Sequence, residues 1–165
     1  MVWNEDSDTR HETGGNVVRR VQEIDDSLIE LANTTDQRTL ALWAAECAER
    51  VLPLFEQRYP DDSRPSAAID ACRAWTRGEI RVSEARTAAL AAHAAARAAI
   101  DGAARAAARA AGHAVATAHV PRHALGAAMY ANRAVFCAGH YTVADEAIRN
   151  ESDWHRKRLL ELRDQ

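Results

Sequence analysis

Seven histidines punctuate this 165-residue chain, and three of them fall in one short stretch, GHAVATAHVPRH (residues 112–123). Imidazole titrates nearest neutral pH and is a common nitrogen ligand for transition metals, so the cluster raises two chemistries, proton transfer and metal binding. Spacing limits both. His113 and His119 are six apart, about 240° around a helix, and face different directions. His119 and His123 are four apart, which suits two ligands on one helix face, but Pro121 lies between them and is expected to break the helix. His93 approaches His113 if the helices carrying them pair as a hairpin. Two histidines still fall short of the three protein ligands of a catalytic zinc. The nearest acidic residues, Glu84, Asp101 and Asp145, are remote, and no HExxH or paired Cys/His spacing occurs.

His93, His113, His119 and His123 are therefore the candidate metal ligands, and the stronger reading is structural. A histidine between small-faced helices can hydrogen-bond a carbonyl or a hydroxyl, with Thr87, Thr117 and Tyr130 as local partners. His119 and His123 flank a helix start, where backbone groups need partners. A partner-binding or catalytic role would fall to whichever of these two is exposed at the bend. No catalytic residue, cofactor or metal is assigned.

Other chemical signals are weak. Arg105, Arg109 and His113 step by four and share one face, read as a solvated stripe before an anion site, with Asp101 placed to pair with Arg105. Glu46, Glu49 and Arg50 read as a surface charge face. The WHRKR run at 154–158 sits where cations suit a helix C-terminus. No Gly-rich phosphate loop, GxSxG elbow or dinucleotide fingerprint is present.

The elements that must hold these residues are helical. The chain is 47% hydrophobic but rich in alanine and only 5% aromatic, so its core must rely on close backbone approach. Residues 1–15 read as a mobile acidic tail, and residues 16–165 as one helical domain. Val17, Val21, Ile24, Leu28 and Leu31 step by four, three, four and three, an amphipathic helix. Thr34 with Gln37 can form a capping box for a second helix, to about Tyr59, with Trp43, Cys47, Val51 and Phe55 on one side and a kink expected at Pro53. Pro65 opens a third and Gly78 ends it. Ser83 can cap a fourth, to about Ile100, and Asp101 a fifth. Pro121 starts a sixth, to about Phe136, and a last helix carries Ile148, Leu159 and Leu162. No segment alternates with a strand period. The expected architecture is all-α, a compact bundle of six or seven helices with closely packed Ala-rich central helices. Trp43 and Trp75 supply its bulk.

Net charge is −3, which argues against a general nucleic-acid binder. The charge is uneven. Residues 1–82 hold 16 acidic and 10 basic side chains, whereas residues 83–133 hold 6 arginines against only Glu84 and Asp101, an asymmetry that can steer an acidic partner. Cys47, Cys72 and Cys137 are far apart and read as reduced, buried thiols of a cytoplasmic protein. The first residues lack a basic n-region and an apolar h-region, so no signal peptide is expected, and the alanine runs are broken by Arg and His, so no membrane span is expected. Abundant Ala and Arg point to a GC-rich bacterial genome.

Two stretches, LALWAAECAERVLPLFEQRYPDDSRPSAAIDACRAWTRGEI (40–80) and AARAAARAAGHAVATAHVPRHALGAAMYA (103–131), resemble the immunity proteins found with bacterial polymorphic-toxin and bacteriocin systems. The distinctive features are the tryptophan-bearing second helix, the P-x-x-x-R-P loop and the GHA-x-ATAHV joint. The likeness covers roughly residues 35–162. It implies a small all-α protein that binds and neutralises a cognate toxin, and it carries over no contact or catalytic residue. A helical-bundle enzyme or metal protein using a His-lined interhelical site, and a homodimeric scaffold joined through small-residue faces, are the alternatives.

Overall fold

The computed structural model describes residues 24–139 and 141–165, with the side chains of 141–144 left out. Among the described residues there are seven helices and no strand: α1 (Asp26–Asn33), α2 (Gln37–Glu56), α3 (Arg64–Thr76), α4 (Val82–Ala98), α5 (Gly102–Ala116), α6 (His123–Ala138) and α7 (Tyr141–Arg163). The expected acidic tail and the start of the expected first helix lie outside the described residues. Within them, α1 opens at Asp26, with Asp25 accepting the Ser27 N–H at 2.8 Å, so Ile24 precedes the helix rather than sitting in it.

The α5 helix is the centre of the bundle and packs against α2, α3, α4 and α6. It can be surrounded because its faces are small. Ala104, Ala107, Ala108, Ala110, Ala111 and Ala114 are fully buried, and alanine both favours helix and lets backbones approach closely. Bulk comes from α2, where Trp43, Val51 and Phe55 are buried together. Trp75 departs from expectation: it is half-buried, with Arg38 lying 6.0 Å over its ring. Cys72 Sγ sits 3.3 Å from Ala41 O and 3.2 Å from Ala114 O, at the meeting of α2, α3 and α5. Cys47 and Cys72 are buried as expected, but Cys137 is exposed.

Three helix ends match the local sequence chemistry. Pro65 lies in the first turn of α3, Gly78 takes the left-handed conformation (φ +76°) after it, and Asp101 caps α5 by accepting the Ala104 N–H at 2.9 Å. Three differ. Asp36, not Thr34, caps α2, accepting from the Arg38 and Thr39 N–H groups, while Thr34 closes α1. Ser83 lies inside α4, whose entry is held by Glu84 accepting the Arg81 N–H. Pro121 stops two residues short of α6. In the first two cases a carboxylate one or two residues away supplies the partner that the expected residue would have given.

Candidate functional site

Because α5 is buried on nearly every side, only one stripe of it reaches the surface: Gly102, Arg105, Arg109 and His113. The four-residue step expected for Arg105, Arg109 and His113 brings these three to one face, and Gly102, three residues before Arg105, falls on the same face. The pairing of α4 and α5 sets His93 beside His113 at the C-terminal end of the stripe, and the turn after α5 brings His123 and His119 to the same end.

The result is a file of four imidazoles. The His93 and His113 rings lie 5.1 Å apart edge to face, His113 and His123 5.2 Å apart, and His123 and His119 5.2 Å apart. His113 also stacks nearly parallel on Tyr130, at 5.1 Å and 18°. His119 is exposed, and His123, His113 and His93 are half-buried. Two glycines make room for it. A Cβ at Gly112 would stand 2.5–2.9 Å from the His93 ring, and one at Gly126 would stand 2.7 Å from His113 Nδ1. Both are interior helix positions where glycine costs about 1 kcal/mol relative to alanine, so packing against the rings explains their presence.

The expectation that Pro121 separates His119 from His123 is overturned. The helix does break, but the chain between Ala116 and Ala124 continues in tight turns, with His119 N–H donating to Ala116 O, His123 N–H to Val120 O and Ala124 N–H to Pro121 O. That winding keeps the two rings on one side. Gln37 fixes the turn from α2, its Nε2 donating to Thr117 O at 2.8 Å and Ala118 O at 3.1 Å. Tyr130 meets His113 by stacking rather than by a hydrogen bond, and Thr117 donates to the backbone carbonyl of His113.

His113 Nδ1 and His123 Nδ1 are 3.2 Å apart, a distance at which one nitrogen donates and the other accepts. Burial, followed by His93, His123 and Arg109, pushes the His113 imidazole down to about 4. Burial, then Arg109 and Arg97, lowers His93, and burial, then His119, lowers His123. The inner three are thus neutral at pH 7. His93 Nδ1 is buried with no hydrogen-bond partner among the described residues. Among those residues, no group of three or more His, Cys, Asp or Glu converges as a metal site. Among the described residues, the hydrogen bond that joins any of the four rings to another side chain is the His113–His123 contact, and no carboxylate, hydroxyl or thiol hydrogen-bonds to them.

Tyr130 ties the file to a groove of about 330 Å³ between α5 and α6, lined by Gly102, Arg105, Ala106, Arg109, Tyr130, Arg133 and Cys137. Arg105 does not pair with Asp101. Its Nε donates to Ala99 O at 3.0 Å, and Asp101 faces Arg58 at 3.8 Å.

A second polar cluster, absent from the sequence reading, joins α2 to α7. Arg50 grips Glu151 through Nε and Nη2, at 2.9 and 2.8 Å, and stacks 4.2 Å over Trp154. His155 Nε2 lies 3.3 Å from Glu151, and the Trp43 indole donates to His155 O at 2.8 Å. Burial works to raise the Glu151 carboxyl, but the adjacent His155 ring and the paired hydrogen bonds from Arg50 outweigh it and hold it down at about 2. The charge face expected at Glu46, Glu49 and Arg50 is instead a set of ties to other helices, with Glu46 held by Arg158 and Glu49 by Arg73. The four-residue Glu151–His155 step and the bulky Trp43 were the visible signals, but the Arg50–Glu151 pair spans 101 residues and has none.

A family model described as "Imm-5 like putative immunity protein" matches residues 30–162, most of the chain. No curated protein and no solved structure matches it. Among the described residues, no helix is long and apolar enough to cross a membrane.

Proposed function

Because the chain belongs to the Imm-5-like immunity protein family, we propose that it binds a cognate bacterial toxin and neutralises it without catalysis, in the cytoplasm of the cell that makes both. The family match over residues 30–162 carries this reading. The site chemistry supports it. The four histidines spend their contacts on one another and on Tyr130, and three of them are held neutral. What the molecule offers outward is a basic groove on a bundle closed by cross-helix ion pairs. Residues 16–165 would act as one helical unit in that role.

Co-purification tests the reading. A tagged form of this chain, co-expressed with the protein encoded by the adjoining gene, is expected to retain it through size exclusion as a single complex. Separate elution at micromolar concentration would reject that partner.

A further inference from the structure

Most described arginines are held by partners within the chain, whereas Arg86, Arg97, Arg109, Arg122, Arg133 and Arg149 have no hydrogen bond or ion pair among the described residues. Arg50, Arg64, Arg73, Arg77 and Arg158 hold carboxylates within the chain. Of the unpaired set, Arg109 and Arg133 converge on one groove with Arg105. The helices framing that groove, α5 and α6, contain no Asp or Glu at all. Asp101, which precedes groove-lining Gly102, spends one oxygen on the Ala104 N–H and turns the other toward Arg58. The Tyr130 hydroxyl, on the groove wall, has no hydrogen-bond partner among the described residues. An overall acidic protein thus carries a locally basic cleft whose small floor residues, Gly102 and Ala106, leave room for an incoming side chain.

We infer that this groove is the docking surface for an acidic segment of the toxin, with toxin carboxylates seated on Arg109 and Arg133 and the Tyr130 hydroxyl donating to one of them. The inference rests on the immunity reading for the identity of its partner. Arg105 and Arg109 are one turn apart on α5, about 6 Å along its axis, and Arg133 faces them from α6. That spacing fits two or three carboxylates in succession. Guanidinium groups bind carboxylates through paired hydrogen bonds, and Arg and Tyr are the residues that most often dominate binding energy at protein interfaces.

The test compares the natural chain with Arg109→Glu/Arg133→Glu and with the milder Arg109→Gln/Arg133→Gln, after thermal melts have checked that each folds. Two probes are titrated, the toxin encoded beside this chain's gene and fluorescein-labelled hexaglutamate at low salt. The Glu variant is expected to bind both at least about tenfold more weakly, the Gln variant to fall between, and added salt to weaken the natural chain's binding. Unchanged toxin affinity in the Glu variant would overturn the inference. If the natural chain binds no toxin, the immunity reading fails, and the hexaglutamate arm alone decides the groove. Hexaglutamate binding that emerges only after residues 1–23 are deleted would assign the groove to the chain's own acidic N-terminal residues. Stronger binding to an RNA oligomer than to hexaglutamate would assign it to nucleic acid. Either result overturns the proposal.

Discussion

His113 Nδ1 lies 3.2 Å from His123 Nδ1 and so ties the end of α5 to the start of α6. Both atoms are the same ring nitrogen, so one ring must carry its proton there and the other on Nε2. The joint holds while one proton is shared between the two facing nitrogens, and protonating the acceptor would set two N–H groups against each other.

Stability should therefore fall on mild acidification. The folded chain holds His113 near 4, below the ordinary 6.5, and holds His93 and His123 below it as well. The unfolded chain takes up protons first, so the contribution is complete above about 6.5 and is lost as pH falls toward 4. The loss from His113 should be about 2–3 kcal/mol. Denaturant melts between pH 7.5 and 4 check this, and His113→Asn should flatten most of the slope. A stability flat across that range would contradict the buried neutral file.

Gly112→Ala and Gly126→Ala should each destabilise, by about 1–3 kcal/mol, because the new methyl meets the His93 or His113 ring at 2.5–2.9 Å or 2.7 Å. At an open helix position the same change would stabilise by up to about 1 kcal/mol, so the sign is diagnostic. Pairing Gly112→Ala with His93→Ala should recover more than the two single effects add up to, read from a double-mutant cycle.

How much of this was legible depended on how local the determinant was. Pro65, Gly78 and Asp101 act on their own turn, and their roles could be read directly. The Arg105–Arg109–His113 stripe followed from helical spacing. The approach of His93 to His113 needed only the pairing of adjacent helices. The His119–His123 contact did not follow, because a proline that ends a helix does not dictate how the turn winds. The Arg50–Glu151 and Arg158–Glu46 pairs join residues more than a hundred apart, so each charge looked like surface until α7 packed onto α2.

Glu151→Gln should cost about 2 kcal/mol. Arg50 can fall back into solvent, since 40% of its side chain is exposed, but fully buried His155 cannot. The carboxyl sits at about 2 against an ordinary 4.5, so its contribution is present above 4.5 and disappears as pH falls to 2. Acid melts should show this second, lower transition window in the natural chain and not in the variant.

A maleimide should modify Cys137 alone in the native protein. Cys47 and Cys72 are fully buried, and burial pushes the Cys72 thiol up to about 12. Mass spectrometry should find one adduct before denaturation and three after it. Because Cys137 lines the arginine groove, the singly labelled protein should also bind its partner more weakly.

The most direct measurement is survival. Cells expressing the toxin encoded beside this chain's gene should die alone and grow when this protein is co-expressed, with growth lost when the protein carries Arg109→Glu/Arg133→Glu. Killing that persists at full expression of the natural chain would contradict the account.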